Sequence, residues 1–279
     1  MKKQGTLIKF VIIFILLVIT YLPTFKWMIE RFEGAESYYS HGYLVPFITL
    51  GLIYWKREKL KQLKAASSGI GLLLIAAALL THAAGLILKI GFVSGASLLM
   101  ALFGLSLYLG GAAITKELFF PVSFLIFMVP MPRMLTIHIS FKMKLLAAQA
   151  GTVLINWLGI TAVRHGSIVH LPNTSLTIGS PCSGLRSLIA LCGLGALFAY
   201  VADLPRFKKA ILFLASIPLA FGANILRITM LLWVARKYGH EVATGKFHDY
   251  SGMFVFVFAL AGLILINKAL QWEPRKQST

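Results

Sequence analysis

Acidic residues are scarce in this chain: 9 Asp and Glu stand against 27 Lys and Arg in 279 residues. All charged residues together make up 13% of the sequence, well under the roughly 25% of a typical soluble domain. That leaves too little polar surface to coat a globule, and a soluble fold is excluded. Cysteine is nearly absent as well, with only Cys182 and Cys192, both in one apolar stretch. On a helix they lie about 15 Å apart along the axis, too far for a disulfide, and no cysteine pair has zinc-ligand spacing. A glycine-rich nucleotide loop is missing. His240-Glu241 lacks the second histidine that a zinc-protease helix carries. Neither a metal nor any other cofactor is expected.

Apolar residues are what the chain has in excess, at 58% of the sequence with a mean hydropathy of +0.82. A chain so rich in Leu, Ile and Phe buries them somewhere, which excludes disorder. The formal charge of +18 sits largely in short clusters between apolar runs, where anionic headgroups and the insertion machinery read it. Membrane lipids, and not nucleic acid, are the expected partners of that charge.

Crossing about 30 Å of hydrocarbon takes roughly 20 residues. Eight apolar runs, some of them short, centre on 10–25, 42–55, 69–88, 90–114, 118–131, 183–202, 210–235 and 251–266. The first follows Lys2, Lys3 and Lys9 but ends in Tyr21, Pro23 and Phe25 where a cleavage site needs small residues, so it reads as a retained anchor. Segment 145–163 is uncharged. His138, Lys142, Gln149, Thr152 and Asn156 form a polar stripe through it and the residues before it, which suits a helix that lies in the interface or lines a cavity better than a lipid-exposed span, and it is placed on the outer face. Distribution of the basic residues then puts both termini in the cytoplasm. Residues 163–179 alternate around His165, Ser167, Val169 and Leu171, turn at Pro172-Asn173-Thr174-Ser175 and return through Leu176-Thr177-Ile178, the pattern of a short extracytoplasmic β-hairpin. The expected fold is an all-α polytopic membrane protein of about eight transmembrane helices with one amphipathic helix and that hairpin, in a single domain over residues 1–279.

Three local patterns carry chemistry. In Ser180-Pro181-Cys182-Ser183-Gly184-Leu185-Arg186, Ser180 suits an N-cap and Pro181 the first helical position. Cys182 then falls in the first turn, where free amides favour a thiolate, and Arg186 follows at i+4 on the same face. Arg227 interrupts an apolar run, a costly placement that marks a functional site, with Asn224 at i−3 to orient it. Counted from Ala210 at 1.5 Å per residue, Arg227 lies roughly 26 Å along its helix, near the outer boundary and the expected level of Cys182. His248, at the outer start of the last run, suits acid and base work, with Asp249 too close in sequence to orient it. His41 reaches the same face, though a loop histidine is its plainer reading. Ser183 is a minor candidate for a serine nucleophile, and Cys192, flanked by Leu191, Gly193 and Leu194, reads as a packing residue.

At these residues the chain resembles the exosortase and archaeosortase family of integral membrane cysteine transpeptidases. Pro181-Cys182-Ser183-Gly184-Leu185-Arg186-Ser187, Asn224-Ile225-Leu226-Arg227-Ile228 and His248-Asp249-Tyr250-Ser251-Gly252 carry the resemblance. Tyr39-Ser40-His41-Gly42-Tyr43-Leu44-Val45-Pro46 and Pro130-Met131-Pro132 support it. The resemblance implies Cys182, Arg227 and His248 as catalytic residues near the outer face of the plasma membrane, the cytoplasmic or inner membrane. The histidine at the third position matches the bacterial exosortases. His41, Arg186, Asn224 and Ser183 are expected to touch the substrate or orient the three. It further implies substrates: secreted proteins ending in a short motif such as Pro-Glu-Pro, a hydrophobic helix and a basic tail, cleaved and passed to an acceptor through a thioester. Other readings of the residues alone are a hydrolase or membrane acyltransferase and, outside enzymes, a polytopic transporter or lipid flippase. A transporter would carry ionisable residues at several depths, whereas here they gather at one face.

Overall fold

The computed structural model describes residues 2–34 and 37–272, with side chains except at residues 2–7, 10, 180, 181, 246 and 249. Of the C-terminus expected in the cytoplasm, residues 273–279, with Arg275 and Lys276, lie outside the described residues. The chain forms two compact units, Met1–Pro132 and Arg133–Thr279.

The first unit is helical. Its elements are α1 (Lys2–Glu33), a 3-10 turn at Ser40–Tyr43, α2 (Leu44–Trp55), α3 (Arg57–Gln62), α4 (Gly69–Ile87), α5 (Gly91–Phe124) and a closing 3-10 turn at Leu125–Met128. A break divides α5 at Gly111, whose φ of 80° lies in the region that favours glycine. Ser106 and Thr115 hydrogen-bond at 3.0 Å, and the Phe103 and Phe119 rings stand 5.5 Å apart. On a straight helix nine residues cover about 13.5 Å, so the chain folds back at Gly111 and its two arms run side by side. Inside this unit His82 of α4 bonds the Ser94 hydroxyl of α5 at 2.8 Å and the Thr20 carbonyl of α1 at 3.0 Å. Tyr21, Thr24 and Ser97 complete a buried polar knot. Pairing is what makes polar groups tolerable in an apolar interior.

The second unit holds α6 (Arg133–Trp157), β1 (Val163–His165), β2 (Ile168–Leu171), β3 (Thr174–Thr177), a 3-10 turn at Ser180–Ser183, α7 (Leu185–Val201), α8 (Arg206–Tyr238), α9 (His240–Thr244) and α10 (Lys246–Gln271). Where alternation suggested one hairpin, the strands form a three-stranded antiparallel meander in the order β1-β2-β3. Gly166, at φ 61°, turns the chain inside what reads as one long strand. Pro172-Asn173 makes the second turn alone, with Thr174 and Ser175 already in β3. The inner face of the sheet, Val169, Leu171 and Leu176, packs with Ile155, Ile178, Cys182, Ile228 and Leu231 in one apolar cluster. Full burial of each Ile or Leu contributes about 1.5–3 kcal/mol.

Five helical segments among the described residues are long and apolar enough to cross a membrane: Val11–Glu33, Gly69–Ile87, Gly91–Met128, Arg206–Tyr238 and Tyr250–Gln271. The chain is thus a multi-pass membrane protein. The difference from the eight expected runs has physical causes. The fold of α5 at Gly111 falls inside run 90–114, so one arm is 91–110 and the other, 112–124, takes in the start of run 118–131. Run 42–55 holds the 12-residue α2, too short to cross, and run 183–202 the 17-residue α7, at the lower end of the crossing range. Helix α6 is not among the five. Of its polar stripe, His138, Lys142, Gln149 and Asn156 are exposed while Thr152 is buried, bonded to the Ala148 carbonyl at 2.7 Å.

Candidate functional site

Three elements of the second unit converge: the 3-10 turn Ser180–Ser183, the middle of α8 and the first turns of α10. The sheet feeds the turn directly, since Ile178 still donates to the Ser167 carbonyl at 2.8 Å and Cys182 comes four residues later. Ser180-Pro181 does not open an α-helix. Gly179 is the capping residue, Pro181 sits early in a 3-10 turn, and Gly184 at φ 78° reverses the chain before α7 starts at Leu185. Cys182 therefore precedes α7 and is not in its first turn. The i+4 relation to Arg186 is lost with it, and Arg186 is an exposed residue of α7.

Cys182 and His248 face one another with Sγ 2.8 Å from Nε2. Arg227, buried to 9% exposure, reaches the same Nε2 with Nη2 at 3.2 Å and donates to the His248 carbonyl at 3.0 Å. A guanidinium has only donors, so the histidine nitrogen that accepts from it is the one that also faces the thiol. Ser251, one helical turn after His248, accepts from Arg227 Nε at 3.2 Å and donates to the His248 carbonyl at 2.8 Å. Gly252 leaves the room the guanidinium needs, because a Cβ there would stand 3.2 Å from Nη2.

The site is braced from below by Asn224. Expected to orient Arg227 along the helix, it instead donates from Nδ2 to the Cys182 carbonyl at 3.1 Å. Ser183 is fully buried and its hydroxyl accepts a long 3.4 Å bond from the Leu185 amide. His41 belongs to the first unit, half-buried, with its ring stacked on Tyr39 at 6.0 Å. There the Tyr39 hydroxyl accepts from the Met131 amide at 3.0 Å, which joins the two supporting motifs around His41 and Met131. Cys192 accepts from the Ser216 hydroxyl at 3.6 Å. The side chain of Asp249 lies outside those described.

Burial pushes the Cys182 thiol above its ordinary value, while the Arg227 cation and a backbone hydrogen bond at Gly179 pull it down. Burial is the largest of the three, so the net direction is upward, opposite to the lowering a helix start would produce. A thiol against an imidazole acceptor, with a buried cation beside both, suits nucleophilic attack in which the histidine takes the proton. Beside Cys182 and His248 a cavity of about 200 Å³ opens, lined also by Thr177, Ile178, Gly179, Leu231 and Thr244. Among the described residues no three His, Cys, Asp or Glu side chains gather as a metal site.

Ser251, Gly252 and Gly184 have no individual role in the sequence reading, although each lies inside a quoted motif. The i to i+3 spacing of His248 and Ser251 on one helix face was the available signal. Comparison with family models matches residues 27–265 to the transmembrane exosortase family. No curated protein and no solved structure matches the chain.

Proposed function

Because the chain belongs to the transmembrane exosortase family, we propose that it is a cysteine transpeptidase whose nucleophile is Cys182, with His248 as its acid and base and Arg227 as the stabilising cation. The observation that carries this reading is the 2.8 Å approach of Cys182 Sγ to His248 Nε2 with Arg227 Nη2 at 3.2 Å from the same nitrogen.

The thiol proton passes to Nε2 as sulfur attacks the scissile carbonyl. Negative charge developing on sulfur and then on the carbonyl oxygen is offset by the neighbouring guanidinium, whose worth rises with burial. The imidazolium returns its proton to the departing amine, leaving a thioester on Cys182. An acceptor nucleophile, or water, then attacks the thioester, loses its proton to His248 and frees the thiol, so protons balance over the cycle. The substrates in this reading are secreted proteins ending in a Pro-Glu-Pro-like motif, a hydrophobic helix and a basic tail. The site faces the extracytoplasmic side of the plasma membrane, with both termini in the cytoplasm.

Co-expression with such a tail-bearing protein tests it. Cys182→Ala is expected to abolish processing, read as the substrate's size on a blot, and Cys192→Ala to leave it intact. Unchanged processing in Cys182→Ala would overturn the thiol mechanism.

A further inference from the structure

The meander ends in an open edge, and the pattern of its ladder says which main-chain groups point there. Ile178 donates to Ser167, the residue directly opposite it, so this is a hydrogen-bonded pair. Antiparallel pairs alternate, which makes Ile168 and Thr177 a non-hydrogen-bonded pair, and the N–H and C=O of Thr177 face away from β2. Ser175 faces the same way, and its carbonyl accepts a 3.0 Å bond from His240 Nδ1. Thr177 has no such partner among the described residues. Its open pair borders the cavity that holds Cys182 and His248. Two residues on along the same edge, Gly179 makes the backbone hydrogen bond that acts on the Cys182 sulfur.

We infer that the free edge of β3 at Thr177 is the docking strand for the extended polypeptide that the site cleaves; this rests on the transpeptidase reading above. The edge offers one main-chain donor and one main-chain acceptor side by side. A helix has already used its own groups, and a lipid ester has no N–H to give the Thr177 carbonyl. An extended peptide matches both, adding itself to the sheet as a short strand. His240 closes the edge at Ser175, so the added strand pairs at Thr177 and continues along Gly179 to the thiol. The cavity walls at Ile178, Leu231 and Ala243 then receive side chains of the bound segment.

The test uses the full chain in membranes with a tail-bearing substrate. In the first arm Thr177→Cys is combined with Cys182→Ala and Cys192→Ala, and single cysteines are stepped through the substrate's motif. A docked strand gives a disulfide at one position, weaker ones two residues to either side, and none between; crosslinks without that alternation overturn the proposal. The second arm is Thr177→Pro, which removes the outward N–H yet takes nothing from the hairpin ladder, a placement sheets tolerate at edges. Processing is expected to fall at least about tenfold while alkylation of Cys182 keeps its wild-type rate. If alkylation changes too, the crosslinking pattern decides. A wild-type chain that leaves the tail uncut overturns the transpeptidase reading. Wild-type and Thr177→Pro chains that cut equally fast overturn only the docking edge.

Discussion

Asn224 fills the space that any side chain on Gly184 would need: a Cβ there would lie 2.6 Å from Asn224 Cγ, on a backbone at φ 78°. The two residues together fix the peptide of Cys182, one by reversing the chain and the other by holding its carbonyl at 3.1 Å.

Gly184→Ala is therefore expected to do more harm than Gly159→Ala. Both glycines have positive φ, which costs an alanine about 1–2 kcal/mol, but Gly159 has nothing within 4 Å of its missing Cβ. Thermal unfolding in detergent should show a modest loss for Gly159→Ala. Gly184→Ala should show a larger one, with processing lost as well. Equal losses in the two variants would remove Asn224 from the account.

Alkylation of Cys182 should be slow at neutral pH and accelerate into the alkaline range, because burial holds the thiol above its ordinary value. Arg227→Gln removes the cation that lowers it, so the profile should move to still higher pH. The sign for stability follows. With the folded value raised, the contribution of this group is fully present below the unfolded value and fades as pH climbs through the folded one. Melting curves of wild type and Cys182→Ala should therefore converge in the alkaline range. A wild-type alkylation midpoint below that of an ordinary thiol would contradict the burial account.

Ser251 acts through Arg227. Ser251→Ala leaves the buried Arg227 Nε without this acceptor, a loss of about 1–3 kcal/mol, and processing should slow about tenfold or more. Ser251→Thr retains a hydroxyl and should restore most of the rate, while Ser251→Val, of similar size without the hydroxyl, should not. Rescue by valine would show that only volume matters there.

The polar knot of the first unit predicts coupling. His82→Leu takes one of two side-chain partners from the Ser94 hydroxyl, which keeps Thr24, and the ring partner from the Thr20 carbonyl, and should destabilise by about 1–3 kcal/mol. The bond between His82 and Ser94 is lost in either single variant, His82→Leu or Ser94→Ala, and counted once in the double, so the double variant should be less destabilised than the two singles summed. Strict additivity in unfolding would mean the two side chains do not depend on each other.

Local chemistry was readable in the sequence wherever a residue type is costly out of place. Arg227 in an apolar run and Cys182 after Ser180-Pro181 stand out for that reason, and counting 1.5 Å per residue puts them at one level. Gly184 was not readable in the same way. A glycine near a helix start is ordinary, and only its positive φ moves Cys182 ahead of α7 and turns Arg186 outward. The alternation of 163–171 carried no sign that Gly166 would divide it, because glycine leaves the period of its neighbours intact. Helix length was legible for α4, whose apolar run coincides with the helix. It was less so for α5, where the fold-back at Gly111 falls inside the run 90–114 and not between it and the run 118–131. Asn224 shows the limit of spacing: a shared helix face with Arg227 was evident, but its partner comes from another element.

Arg227 is 9% exposed, and that sets how the site responds to ionic strength. Mobile ions damp fields between exposed charges over about 8 Å in physiological salt, but reach a buried pair far less. The pull of this guanidinium on the sulfur thus stays nearly constant from dilute buffer to brine. The thiol is insulated from its saline surroundings by the same burial that pushes its pKa upward.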